Sequence, residues 1–461
     1  MRAAWFQPAF TLALLAAGLA WTPPASAATY YVAQTDSGAS DSNPGSELLP
    51  WATLTKAAAA VQPGDLVIVK AGRYTDPLST SYRAFNPARS GTPSAPIRFK
   101  SEPQRAAVLV PLDRQKAAVG IFQRAHIVLD GFKAEGQVLI DSSQFVTVEN
   151  MEVIYGGTEG SDMSLNWGIV VKTASDSTVR NNYVHRLLNS GNTGHNTAGI
   201  MVGFGSSRNT IEHNYVDAAA AVYSAFGQKG GNDHFNVYRG NIAKNARAGF
   251  FGIGSTDGTK FSTDHTYYQN VIIDCAAAFG LNHNSQRFQI YNNTAYGIQT
   301  FLSGAHLSDT NPSANREMRL WNNIALSADS IYARGPSTVD WSILIAESDY
   351  NNYAAPRIAS WNWGSASIRT LPEWQAATGF DQHSIDLDPL FVDASNGDFH
   401  LRDGSPARGT GRDGLDMGAF PTGTELVGPA WPLAGARVHR LSSLITTLAS
   451  ASALRSISGS R

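Results

Sequence analysis

Between positions 172 and 283 lie Lys172, His195, Tyr223, Lys229, Arg247, Asn282 and His283, side chains of the kinds that move protons or hold anions. Removing a proton from the carbon next to a carboxylate takes a base such as Lys, His or Tyr. The charge that then builds on the carboxylate takes Arg, Asn, protonated His or a bound cation to hold it. Lys229, His283 and His195 are the candidate catalytic bases. Trp167, Lys172, Tyr223, Arg247 and Asn282 are the candidate substrate-binding groups, with Trp167 and Tyr223 as surfaces on which a sugar could stack. This set suits β-elimination on a uronate polymer, and it suits a C-5 epimerase equally, because there the same proton returns to the opposite face. A glycoside hydrolase instead needs two carboxylates flanking one bond. Between Asn166 and Gly304 the acids are Asp176, Glu212, Asp217, Asp233, Asp257, Asp264 and Asp274, and none lies in the apolar runs that carry the candidates. A hydrolytic pair would have to come from loops, for example Glu159 and Asp162. A binding solenoid without catalysis is the third reading.

The elements that must position these groups form a repeat. Val179-Arg180-Asn181-Asn182, Ile211-Glu212-His213-Asn214, Tyr238-Arg239-Gly240-Asn241, Tyr267-Tyr268-Gln269-Asn270, Ile290-Tyr291-Asn292-Asn293 and Leu320-Trp321-Asn322-Asn323 share one pattern, with Asn150 as an earlier member. Successive asparagines are separated by 23 to 32 positions, a period that belongs to solenoids, propellers or arrays. Each unit holds two short apolar runs separated by Gly, Ser, Asn and Asp, with no stretch of helical periodicity. The expectation is an all-β, right-handed parallel β-helix in which each coil stacks on the last. An asparagine at a fixed place in every coil would bond along the stack at a sharp turn that tolerates left-handed backbone. Isolated Asn-containing turns of a β-sandwich are the alternative.

Alternation along the first strand of each coil sets the phase of the candidates. If Phe226 and Phe279 point inward, Lys229 and Asn282 point outward, and Lys172 joins the same column two coils earlier. At a coil spacing of about 4.8 Å the two lysines would stand about 10 Å apart. A polysaccharide would lie along this face, walled by the insertions Gly156 to Trp167 and Asn189 to Thr197.

The 461 residues carry a net charge of −2, which gives no general attraction to nucleic acid or anionic lipid. Cys275 is the only cysteine, so no internal disulfide forms, and its apolar context reads as core. Residues 1–27 pair an early positive charge with the apolar run Phe10 to Trp21 and a small-residue Ala25-Ser26-Ala27 site. They read as a secretory signal that leaves a secreted or periplasmic protein without a membrane anchor. Thr53 followed by Leu54 to Val61 predicts a helix capping the open solenoid end. A second short helix is expected at Thr370 to Ala377. Residues 384–420 would return along the solenoid, which makes residues 28–420 one β-helix domain, and residues 421–461 a weakly ordered extension. The protein is expected to be a monomer.

Tyr30-Tyr31-Val32, Asp41-Ser42-Asn43-Pro44-Gly45, Pro50-Trp51-Ala52-Thr53-Leu54, Pro63-Gly64-Asp65 and Val69-Lys70-Ala71-Gly72-Arg73-Tyr74 carry a resemblance. So do Asp388-Pro389-Leu390-Phe391-Val392, Gly397-Asp398-Phe399-His400-Leu401 and Asp416-Met417-Gly418-Ala419-Phe420 near the far end. With these motifs the chain resembles secreted right-handed parallel β-helix proteins of the polysaccharide lyase type, over roughly residues 29 to 420. The coil Ala278-Phe279-Gly280-Leu281-Asn282-His283-Asn284 is similar to family-nine pectate lyases. That family carries a catalytic lysine one coil earlier, in Gly-Phe-Lys-Leu-Gly-Gly, preceded by aspartates that bind calcium. This chain has Gly249-Phe250-Phe251-Gly252-Ile253-Gly254 there, with Phe251 in place of the lysine and no aspartate cluster. The resemblance therefore implies an anionic polysaccharide substrate, but its catalytic set does not transfer. Any Ca²⁺ would have to be held by scattered ligands.

Overall fold

The computed structural model describes residues 27–75, 85–112, 117–154, 167–187, 197–218, 223–252, 254, 259–304, 315–334, 341–361 and 366–431. They form the right-handed parallel β-helix. One sheet of 12 strands runs from Thr29–Val32 to Ile345–Asp349. A 20-stranded sheet holds two further columns. One contains the first strands Trp167–Lys172, Ala198–Gly203, Ser224–Lys229, Ala248–Gly252 and Ala277–Leu281, and the other contains Tyr183–His185, Tyr215–Asp217, Ile242–Lys244 and Val271–Ile273. A small ladder of Asp233–His234, Ser262–Thr263 and Ser285–Gln286 forms the corner between the first strands and the 12-stranded sheet.

Parallel pairing in register puts like residues above one another inside the coil. Ile169, Ile200, Phe226, Phe250 and Phe279 are successive partners and all face inward. The rings of Phe226 and Phe250 stack at 4.9 Å and those of Phe250 and Phe279 at 5.4 Å. Each such side chain contributes about 2 to 3 kcal/mol by leaving water.

The asparagine ladder is present and continuous. Side-chain amides run from Asn182 through Asn214, Asn241, Asn270, Asn293 and Asn323 to Asn351, each donating to the next at 2.9 to 3.1 Å. Two expectations need correction. The left-handed residue is the one before each ladder asparagine: Asn181, His213, Gly240, Gln269, Asn292 and Asn322 have φ between 49° and 59°. And Asn150 belongs to that left-handed column, with φ 58°, so it is out of phase by one residue. Met151 occupies the ladder position, buried, with its N–H donating to Asn182 Oδ1 at 2.9 Å.

Both ends are covered. The Leu54–Ala60 helix starts at Thr53, whose Oγ1 accepts from Lys56 N–H at 3.1 Å, and it buries Leu54, Ala57 and Ala58. Thr53→Ala should cost about 1 kcal/mol in equilibrium unfolding. At the other end the Leu371–Thr378 helix has a capping box between Thr370 and Glu373. Its Trp374 is fully buried and donates to Asp381 Oδ2 at 2.8 Å. The segment from Phe391 to Phe420 then packs Phe391, Phe399, Met417 and Phe420 against Tyr183, Tyr215, Ile242 and Ile324 on the outside of the coils. Farther on, Gly428 N–H donates to Gly240 O and Trp431 Nε1 to Asn181 O, both at 2.7 Å. Residues 432–461 and all but the last residue of the signal segment lie outside the described residues. No helix among the described residues is long and apolar enough to cross a membrane.

Candidate functional site

Register settles the outward column at the end of the first strands. Asp141 pairs with Lys172, Lys172 with Gly203, and Gly203 with Lys229. Lys172 and Lys229 are thus two coils apart on one column. Asn282 follows Leu281, the partner of Gly252, and so continues that column. Lys172 is held by Asp141, with Nζ 3.3 Å from Oδ2. Asp141 lies one coil before the stretch whose acids were counted in the sequence, so this ion pair was missed.

Lys229 differs from Lys172. Its side chain is half-buried, and burial alone pulls the pKa of its ammonium below the usual lysine value. No described carboxylate forms an ion pair with it. The two coils approach closely here: at Gly203, the partner of Lys229, a Cβ would run into the Lys229 carbonyl. After Lys229 the chain turns away through Gly230 and Gly231, with φ of +92° and +64°. A Cβ on Gly231 would meet Lys260, so this lysine stands directly against the turn. Lys260 is exposed, and its carbonyl accepts from Asn284 Nδ2 at 3.1 Å. Reading the first strands alone misses it, because it arrives on a corner insertion. His283 is half-buried, and its N–H donates to Asn282 Oδ1 at 3.1 Å. Lys229, Lys260, Asn282 and His283 therefore share one edge of the first-strand sheet.

Beneath that edge the interior is polar. His265 Nδ1 accepts from Asn236 N–H at 3.0 Å, which places the ring hydrogen on Nε2, 3.1 Å from Ser262 Oγ. Ser262 donates to Gln228 Oε1 at 3.1 Å, and Gln228 Nε2 donates to Tyr238 OH at 3.2 Å. Gln228 immediately precedes Lys229, so the chain of bonds pins the strand end that presents the lysine. Asp233, wholly buried, accepts from Gly205 and Ser206 N–H groups at 2.8 and 3.1 Å, and burial holds its pKa well above the carboxylate range.

Burial also pushes His265 down from 6.5 to about 3. A histidine with a depressed folded pKa contributes stability above its unfolded pKa and loses it as pH falls through the folded one. Acidification from pH 6.5 to 3 should therefore remove about 4 kcal/mol, read by urea unfolding at a series of pH values. His265→Gln should flatten that slope.

Tyr223 and Arg247 lie elsewhere. The six-residue strand Ser224–Lys229, at about 3.3 Å per residue, separates Tyr223 from Lys229 by about 20 Å. Arg247 sits beside Tyr223, one coil on, its guanidinium 5.2 Å from the ring centroid. Burial raises the Tyr223 hydroxyl pKa, and Arg247 lowers it. Tyr223 and Arg247, expected as substrate-binding groups, therefore lie a strand's width from Lys229, farther than a single sugar spans. Trp167 also belongs to this second edge. It is 7% exposed and packed with Leu139, Val170, Ala198 and Met201, so it presents no open face for stacking. An open depression of about 570 Å³ adjoins the second edge, lined by Asn245, Arg247, Asp274, Cys275 and Gln299 among others. Cys275 is buried, its thiol pushed up to about 12. His195, Glu159 and Asp162 lie outside the described residues.

The described residues do not fit a calcium site. No group of three or more His, Cys, Asp or Glu among them is arranged to hold a metal ion. Of the carboxylates near the Lys229 edge, Asp141 is held by Lys172 and Asp233 is committed to backbone N–H groups.

No family model and no curated protein matches the chain. Among solved structures, the pectate lyase Pel9A superposes with a TM-score of 0.58 at 18% identity, over 85% of this chain and 96% of that one. An alginate lyase from Paenibacillus sp. gives a TM-score of 0.42 at 14% identity, covering 78% and 99%. A lacto-N-biosidase from Eubacterium ramulus gives 0.39 at 10%, covering 72% and 65%. What the chain shares with Pel9A at this identity is its fold, the parallel β-helix.

Proposed function

We propose that the protein is a secreted lyase that cleaves an acidic, uronate-containing glycan by β-elimination, with Lys229 as the base. The observation that carries this reading is the state of Lys229: half-buried, facing outward, without a described carboxylate partner, and with a lowered pKa. Desolvation brings the neutral amine into a lower pH range, as a base needs. Neutral Lys229 Nζ takes the proton from the carbon that bears the carboxylate. The C–H electron pair forms the new double bond, and the C–O bond to the next sugar breaks with its pair on oxygen. That oxygen takes a proton from solvent or from protonated His283. Lys260 faces the carboxylate as charge accumulates on it, with Asn282, 6% exposed, behind it at the same edge. Lys172, already paired with Asp141, offers little net charge. Residues 1–27 would direct export, and residues 28–420 would act as one domain.

The test is ultraviolet absorbance of the protein incubated with pectate, alginate and a glycosaminoglycan, each with and without Ca²⁺. Growth of a conjugated double bond supports elimination. New reducing ends without that absorbance would assign hydrolysis, and a changed ratio of epimeric uronates would assign epimerisation.

A further inference from the structure

We infer that the depression at the second edge of the first strands binds a neutral sugar of the same glycan, away from the reacting uronate. The inference rests on the polysaccharide reading above and adds to it that the substrate is a branched acidic polymer.

Three successive corner turns form the depression, and each offers one open polar group: Arg247, Asp274 and Gln299, all exposed. None of these side chains makes an ion pair or a side-chain hydrogen bond with another described residue. Ala248, Ala277 and Thr300 are consecutive partners, so the residues before them, Arg247 and Gln299, stand two coils apart. That is about 10 Å, with Asp274 in the coil between them. Ala276 and Gly297 complete the lining, and the Asp274 carboxylate lies over Gly297, where a Cβ would meet its Oδ1. A pyranose presents a ring of hydroxyls that both donate and accept. The guanidinium and the amide nitrogen supply donors, and the carboxylate and the amide oxygen supply acceptors.

The turns are held in advance of any ligand. Asn245, Asp274 and Gly297 have φ of 59°, 53° and 66°. Asn245 Nδ2 donates to Asp217 Oδ1 at 2.8 Å, and the Tyr223 ring supports Arg247. Such preorganisation lowers the ordering cost of binding. Charge decides the class of sugar. Arg247 is balanced by Asp274, and Asp217 by its strand partner Lys244, so the site carries no net charge with which to hold a uronate. A neutral hexose or pentose needs none. The site lies about 20 Å across the strand from Lys229, so its occupant is a branch or a distant unit of the chain.

A pectin bearing neutral galactan branches and the same pectin after enzymatic debranching provide the probe pair. Binding is read by affinity electrophoresis and turnover by double-bond absorbance, on the full chain. The wild type should bind the branched polymer about tenfold more tightly, and Asp274→Ala and Gln299→Ala should each bring that ratio close to one. Lys229→Ala should keep the preference while losing turnover. Equal binding of both polymers by the wild type, no binding of either, or a preference that survives both substitutions would overturn the inference. A preference that is lost in the variants, with no double bond formed from either polymer, would keep the sugar site and reject the lyase reading. Both substitutions are at exposed positions, and unchanged melting temperatures verify their folding.

Discussion

Lys229→Ala should lower kcat on the responsive uronate polymer by about 10²- to 10⁴-fold, with KM and the melting temperature little changed. Lys229 makes no ion pair with the described residues, and burial disfavours its charged form, so its removal deletes a base without orphaning a partner. The pH profile gives a second signature. Activity of the wild type should climb with pH as the Lys229 ammonium loses its proton, and the climb should begin below the usual lysine range because the pKa is lowered. In Lys229→Ala that limb should vanish, and a small primary amine added to the buffer should restore part of the rate. Lys172→Ala is the contrast. Its amine is tied to Asp141 at 3.3 Å, so its loss should act on KM and stability rather than on the alkaline limb. An unchanged kcat in Lys229→Ala would remove this residue from the chemistry.

The second large effect concerns stability. Asn241→Ala should reduce the unfolding free energy by about 4 kcal/mol, measured by urea denaturation. Asn241 is wholly buried, and its Oδ1 accepts from the backbone and side-chain nitrogens of Asn214 at 3.0 and 3.1 Å. Its Nδ2 donates to Ile211 O at 2.8 Å and to Asn270 Oδ1 at 3.0 Å. Alanine would strand each of those partners in an interior that water does not reach. Asn241→Asp keeps the size but replaces the donor with a charge, and should be no less damaging. A loss within about 0.5 kcal/mol, the range of ordinary surface substitutions, would show that the ladder only decorates the turn.

The recurring asparagines, the short apolar runs and the phase of Phe226 and Phe279 were enough to read a parallel β-helix, because a solenoid maps position in the sequence repeat onto position in the coil. The same mapping placed Lys172, Lys229 and Asn282 on one outward column. It failed by one residue at Asn150, where an asparagine at the left-handed corner and a methionine in the ladder satisfy the same turn. Some features depended on the width of the sheet and the paths of the corner insertions, and these only the tertiary structure decided. It put Tyr223 and Arg247 a full strand away from Lys229, set Asp141 against Lys172, brought Lys260 to the Gly231 turn and buried Trp167. It also joined His265, Ser262, Gln228 and Tyr238 into a single chain of bonds beneath the lysine. The physical reason is that repetition along the axis is written into residue spacing, whereas contacts across a coil and between insertions of unequal length arise only when the stack has closed.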